Sequence, residues 1–253
     1  MITLGGQQGV LNPIFRNDIR VFDINPGTRQ WTVPAGVSRV RVAVIGAGSG
    51  YHKPGSNIEK GGHGGGFAEK IIDVMPGQTY SYTVGAGGQI GKAGGSSSFG
   101  GFLSATGGGA RENAESTPGI GSGGDVNTSG GKGASVVSST AGGGASGHRY
   151  GSGGDAIGSV GGGWGAAGEP LKRADLFDDG WGLGIHPYRR PLHEELVNFS
   201  SYMSFARVGE GVKSSLLPNY GSGGGSGNGG IGAGCGSAGV VGGNGAIIIE
   251  VVA

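Results

Sequence analysis

The sequence predicts a mainly β protein with little α-helix, a strand-rich base carrying a stack of extended, polyglycine-II-like glycine segments. Three observations predict it. The first is the run GSGGGSGNGGIGAGCGSAGVVGGNG at residues 221–245. In it Gly221, Gly224, Gly227, Gly230, Gly236, Gly239, Gly242 and Gly245 share a register of three, broken only by Ala233. A three-residue period belongs to neither an α-helix nor a pleated strand; it matches the left-handed extended helix, which makes no hydrogen bonds inside itself. The N–H and C=O groups of such a helix must pair with neighbouring segments. Glycine at every third position removes the Cβ atoms that would hold those neighbours apart. The second observation is that this run passes into AIIIEVV at residues 246–252. A Gly/Ser linker has the same composition but does not end in a buried strand. The third is the partition of glycine: residues 67–84 contain only Gly77, whereas residues 85–168 contain 31 glycines.

The elements follow in order along the chain. Residues 1–19 form a lead segment without a clear period, a docking arm or a frayed terminus. Residues 20–253 read as a single glycine-rich β domain. RVFDI is a short alternating run, and Asn25-Pro26-Gly27 is turn chemistry. Trp31-Thr32-Val33 is a second short run, closed by Pro34-Ala35-Gly36. SRVRVAVIG then alternates, with Val40, Val42 and Val44 on one face and Arg39, Arg41 and Ala43 on the other, as a half-buried strand does. FAEKIIDV and YSYTV are strands whose connection, Met75-Pro76-Gly77-Gln78-Thr79, reads as the turn of a hairpin. SSFGGFLSATGG gives one or two more short strands, and AIIIEVV gives the last.

Composition bounds the rest. Glycine is 65 of 253 residues against an ordinary usage of about 7%, yet there is no strict Gly-X-Y repeat and only 10 prolines, which excludes collagen. Ordering glycine costs about 1–2 kcal/mol of backbone entropy per residue. Dense backbone pairing or association with other chains must offset that, so a homo-oligomer is expected. The net charge of +1 supplies no long-range field for nucleic acid or an anionic membrane. The single cysteine, Cys235, permits no internal disulfide and reads as a small buried apolar residue. No apolar run approaches the ~20 residues of a membrane span. The start, MITLGGQQG, lacks a signal-peptide pattern, which predicts synthesis in a cytoplasm without secretory export.

Several motifs invite a chemical reading and do not sustain it. VIGAGSG follows a strand as a dinucleotide-binding turn does, but it lacks the third glycine at the required spacing, and His52-Lys53-Pro54 follows in place of a helix. His52, His63, His148, His186 and His193 are scattered without metal-ligand spacing and read as solvated loop histidines. His193-Glu194-Glu195 and Asp178-Asp179 offer carboxylates for glycoside hydrolysis, though adjacent acids on a loop are ordinarily solvated. No catalytic residue, cofactor or metal is expected, and the chain does not read as an enzyme.

The insert at residues 169–220 stands apart. Its 52 residues hold five glycines but seven of the chain's 18 aromatics, with six Lys/Arg against seven Asp/Glu. HEELVNFSSYMSFARV, from His193, places Leu196, Phe199, Met203 and Ala206 at helical spacing. The insert reads either as a recognition loop or as a small satellite core covering the glycine stack or a sister subunit. Its densest cluster of binding-type residues is Trp181, His186, Tyr188, Arg189 and Arg190, in WGLGIHPYRRP, where Pro187 and Pro191 restrict the backbone. Three shorter polar segments between glycine tracts carry similar residues: residues 51–60, with Tyr51, His52 and Lys53; residues 111–117, from Arg111 to Thr117; and His148, Arg149 and Tyr150. Loops on a rigid scaffold are where recognition usually resides.

The order WTVPAGVSRVRVAVIGAG, GGGFAEKIIDVMPGQTYSYTVGAGG, GGSSSFGGFLSATGGG and GGNGAIIIEVV resembles the glycine-rich tail-fibre and adhesin domains of tailed bacteriophages, over about residues 20–253. The resemblance implies a strand-rich base carrying packed polyglycine helices at a fibre tip, with the segments between glycine tracts contacting the host. It also implies a virion protein of the tail fibre or tail tip, made in the host cytoplasm. Its partners would be a bacterial surface receptor (a glycan or an outer-membrane protein), other virion tail proteins, and copies of itself, as a trimer. A purely structural virion cap or decoration protein is the alternative, and a polysaccharide depolymerase a weaker one.

Overall fold

The computed structural model describes residues 19–55, 57–113, 115–137, 141–149, 151–158, 232–234 and 241–252. They build twelve strands and no helix: β1 (Ile19–Asp23), β2 (Gly27–Thr32), β3 (Arg39–Ile45), β4 (Ile58–Lys60), β5 (Phe67–Asp73), β6 (Thr79–Val84), β7 (Ser97–Phe99), β8 (Leu103–Ala105), β9 (Gly121–Ser122), β10 (Val126–Thr128), β11 (Ser135–Val137) and β12 (Ala246–Val251). Two five-stranded antiparallel sheets, ordered β1-β12-β3-β5-β10 and β2-β6-β7-β8-β9, face each other; β4 and β11 form a separate ribbon.

Alternation in the sequence decides which side chains meet between the sheets. The first sheet contributes Val40, Val42, Val44, Ala68, Ile72, Ile247 and Ile249, and the second Trp31, Tyr80, Tyr82, Val84, Phe99, Leu103 and Ala105. Trp31, directly opposite Tyr80 in the register, joins Phe99 and Phe102 in an aromatic cluster with centroids 5.4–6.5 Å apart. Burying such rings contributes most of what a sandwich core supplies. β1 and β2 are edge strands of different sheets joined through residues 24–26, and β9 and β10 are likewise joined through residues 123–125, with Ile120 bridged to Ser129. The sheets thus meet along both sides, which protects the edges. Asp23 pins one junction, accepting from the Tyr82 hydroxyl at 3.1 Å and pairing with Arg29 at 3.1 Å.

Two strand-level expectations are corrected. β5 and β6 do not form a hairpin: the Pro76-Gly77 turn carries the chain from one sheet to the other, and β5 pairs with β3 and β10 while β6 pairs with β2 and β7. Gly77, with φ +82° and Gln78 N–H donating to Met75 C=O at 3.0 Å, has type II turn geometry, which does not specify whether the flanking strands pair. The hairpin is instead β7–β8, where Gly100 and Gly101 both take positive φ (55° and 82°), as a type I′ turn requires. Nor is β3 half-buried. Ala43 and Ile45, with Phe67, Ala246 and Ile248, form a second buried cluster on the far face of the first sheet. Beside it lie Arg41, Glu69 and the fully buried Glu250; Arg41 donates to Glu250 at 3.2 Å.

The registers place Ile45, Phe67, Thr128 and Ala246 together at one end of the first sheet, and Val84, Ser97, Ala105 and Gly121 together at the same end of the second. From this end the strands continue as glycine segments, outside any sheet: residues 46–50, 61–66, 85–88, 92–95, 106–109, 130–134, 141–147 and 242–245. Their hydrogen bonds rotate among neighbours. In residues 46–50, Gly46 and Ser49 donate to Gly66 and His63 (both 2.9 Å), Ala47 and Gly50 to Gly95 and Lys92 (3.0 and 3.1 Å), and Gly48 to Gly243 (2.8 Å). The same spacing of three recurs where Gly61 and Gly64 donate to Ala134 and Gly131, and where Gly144 and Gly147 donate to Gly62 and Gly65. A strand within a sheet has two bonding neighbours; these segments have three or more.

Such packing leaves no room for side chains. A Cβ on Gly64 would sit 1.8 Å from the Ala145 carbonyl oxygen, and one on Gly48 1.8 Å from that of Ala233. Neither glycine has a positive φ, so close approach and not backbone freedom is what selects glycine. The register expected at residues 221–245 lies mostly outside the described residues. Gly242 and Gly245 keep to it, with Cβ positions 2.1 Å from Gly48 O and 2.3 Å from Ser97 Oγ; off the register, Gly234 is equally tight, 2.0 Å from Gly62 O.

Candidate functional site

Since the described glycine segments leave one end of the sandwich, the turns between outgoing and returning segments gather at the far end of the array. An extended chain rises about 3.3 Å per residue, so residues 46–50 alone carry the chain roughly 15 Å from the sheets. There residues 51–60, 89–93 and 110–113 interlock. Gly91 N–H donates to Tyr51 C=O (2.6 Å) and Glu112 N–H to Gly91 C=O (3.1 Å). Lys92 pairs with Glu112 at 2.8 Å across the last two loops. His52 and Lys60 exchange backbone hydrogen bonds at 2.9 Å, which folds residues 51–60 back on themselves. β4 then pairs with β11, and Lys53 reaches Glu59 at 2.8 Å.

Of the residues singled out in the sequence, Tyr51, His52 and Lys53 therefore stand at this tip, His52 and Tyr51 partly buried and Lys53 exposed. Gly91 (φ +75°) presses against His52, whose Nδ1 would lie 3.0 Å from a Cβ there. His148 and Arg149 lie elsewhere. Residues 141–147 run back toward the sandwich, where His148 C=O accepts from Thr128 Oγ1 at 3.0 Å, next to the end of β10. Arg149 Nε donates to Glu69 of β5 at 2.9 Å. The structure does not bring these two together with Tyr51, His52 and Lys53. Tyr150 and the cluster Trp181, His186, Tyr188, Arg189 and Arg190 lie outside the described residues.

Beneath the tip sits a cluster that joins two residues the sequence offered separately, Arg111 at the start of a polar segment and His63 as a lone histidine. His63 is 2% exposed and Arg111 6%. Arg111 Nη1 lies 2.8 Å from His63 Nε2, and its Nη2 donates to the carbonyls of Gly133 and Ala134 (both 3.3 Å) and to Ser135 Oγ (2.9 Å). Burial first, and the Arg111 guanidinium second, pull the His63 pKa down from 6.5 to about 4; burial does the same to His148, also to about 4. Burial likewise lowers that of Arg111. The expectation of solvated histidines is thus wrong for His63 and His148: glycine-lined segments pack closely enough to enclose a large ring without any apolar run marking the place.

VIGAGSG is accounted for structurally. Its N–H groups at residues 46–50 are the ones already bonded to neighbouring carbonyls, so they are not free to cradle a phosphate. Among the described residues no group of three or more His, Cys, Asp or Glu is placed to hold a metal ion, and no helix is long and apolar enough to cross a membrane. No curated protein matches the chain. A family model described as a glycine-rich domain matches residues 24–252, from the β1–β2 junction through the last strand, and the chain therefore belongs to that glycine-rich domain family.

Proposed function

We propose that this chain is a tail-fibre or tail-tip protein of a tailed bacteriophage that attaches the particle to the host surface by non-covalent, multivalent binding. The glycine segments are polyglycine-II-like helices in this reading, supported by hydrogen bonds that rotate among neighbours every three residues. The observation that carries the proposal is the gathering of residues 51–60, 89–93 and 110–113 at one end of a stiff backbone array, opposite the sandwich. Such an arrangement presents side chains to a partner without the entropy cost of ordering a loop on binding. Several copies per particle, as a homo-oligomer, add avidity without a strong single site. The ligand would be a surface glycan or an outer-membrane protein, and the insert at residues 169–220 is a second candidate for contacting it.

Particle adsorption tests it. With Tyr51, His52 and Lys53 changed together to Ala, particles should assemble normally and adsorb to host cells at least tenfold more slowly. The Trp181, Tyr188 and Arg189 triple change to Ala asks the same of the insert. Particles that fail to assemble would favour the structural cap or decoration reading. Normal assembly and normal adsorption with both sets changed would reject the attachment surface.

A further inference from the structure

The His63–Arg111 cluster has a geometry that solvent-facing packing does not require. The His63 backbone is clamped to Ser49: its N–H donates to Ser49 Oγ at 2.7 Å, and its carbonyl accepts from Ser49 N–H at 2.9 Å. The ring therefore cannot leave without undoing the pairing of residues 46–50 with 61–66. Two donors converge on that ring, Gly133 N–H at Nδ1 (3.0 Å) and Arg111 Nη1 at Nε2 (2.8 Å), with Ser116 Oγ 3.2 Å from Nε2. A neutral imidazole has one acceptor nitrogen and one N–H. Whichever tautomer is present, it satisfies one of the two donors. A second proton removes the remaining acceptor and sets an imidazolium against a buried guanidinium.

The charged groups facing the ring are Arg111, from the turn at residues 110–113, and Lys132, from residues 130–134; the segment at 46–50 contributes the neutral Ser49, and residue 116 a serine. Arg111 also holds two tip elements at once, the 110–113 turn by its own backbone and the start of β11 through Ser135. Lys60 Nζ adds a third by donating to Arg111 C=O at 3.5 Å.

We propose that His63 and Arg111 form an acid-operated latch, in which neutral His63 seats Arg111 and so holds the tip loops on the glycine array, and protonated His63 expels Arg111 and releases them. The release is local, since the sandwich core holds no part of the cluster. It works in the weakly acidic range, because the ring in the open state titrates near its ordinary 6.5 and in the closed state near 4.

Amide hydrogen exchange on the full chain, corrected for intrinsic rates, tests the latch. In the wild type, protection at Gly133, Glu112 and Asn113 should fall about tenfold per pH unit between pH 6 and 4, while Val42 and Val44 in β3 stay protected. In His63→Gln, which keeps an acceptor and does not titrate, the three amides should hold a level protection across that range. Flat wild-type protection, or the same fall in His63→Gln, would overturn the proposal. If the variant does not fold, the wild-type imidazole is followed directly by NMR. Loop release must then share its midpoint with ring titration, and release without titration of His63 would equally overturn it.

Discussion

The sandwich and the glycine array are two answers to one requirement, that buried backbone polar groups be paired. In the sandwich, strands pair in two directions within a sheet, and side chains such as Phe99, Ile247 and Ile249 fill the space between sheets. In the array, segments pair in three or more directions and side chains are nearly absent, because backbone fills the space that a Cβ would need. The sandwich tolerates change by repacking; the array has nothing to repack. A chain can therefore be rich in glycine and still rigid, provided each glycine is enclosed by other backbone.

The comparison can be broken most severely inside the array. Gly64→Val places a branched side chain where even a Cβ would be 1.8 Å from backbone, and it should destabilise by more than about 4 kcal/mol, in practice unfolding the array in thermal or denaturant melts. Gly55→Val is its control: nothing lies within 4 Å of a Cβ there and its φ is not positive, so its melt should stay within about 0.5 kcal/mol of wild type. Phe99→Ala in the sandwich should cost about 3–5 kcal/mol, a loss that neighbouring side chains can partly relieve by collapse.

Acid sharpens the comparison further, since the buried histidines belong to the array and its edge. His63 and His148 have folded pKa values near 4, below the ordinary 6.5. The native state therefore resists a proton that the unfolded chain accepts, and stability is lost as pH falls from 6.5 toward 4 and levels off below. Each residue accounts for up to about 3 kcal/mol over that window. Denaturant midpoints at pH 7 and pH 4.5 should differ accordingly, and His63→Gln should remove its share. The smallest effect is expected at the tip: Lys53→Ala deletes an exposed pair with Glu59 and should change the melt by less than about 1 kcal/mol.

The sequence made the sandwich legible where strands alternate. β3, β6 and β12 stand close to where SRVRVAVIG, YSYTV and AIIIEVV place them, because burial of one or both faces imposes a pattern on consecutive residues. Four of the short strands, β4, β9, β10 and β11, carry no period and are fixed by their partners, whereas β7 and β8, equally short, are marked by the glycine pair between them. The β5–β6 turn was misread for the same reason, since Met75-Pro76-Gly77-Gln78 specifies a reversal and not a sheet. The three-residue glycine register pointed to extended packing, but not to glycines such as Gly234 that are tight without sharing it. In the site, Tyr51, His52 and Lys53 were legible as a polar break between glycine tracts. His148 and Arg149 looked identical by that criterion, yet they lie against the sandwich, Arg149 on Glu69. Arg111 was legible as the start of the polar segment 111–117 and His63 only as a lone ring among glycines, but their pairing was not, since the contact joins residues 48 positions apart.

Whether the glycine segments form a core made of backbone is read most sharply from residue-resolved amide exchange at Gly46, Ala47, Gly48, Ser49 and Gly50 at neutral pH. Protection at all five amides should be comparable to that of Val42 and Val44 in the adjoining strand β3, since each of the five donates to a carbonyl within 3.1 Å. Exchange at the rate of an unstructured glycine linker, with β3 protected, would contradict a core made of backbone.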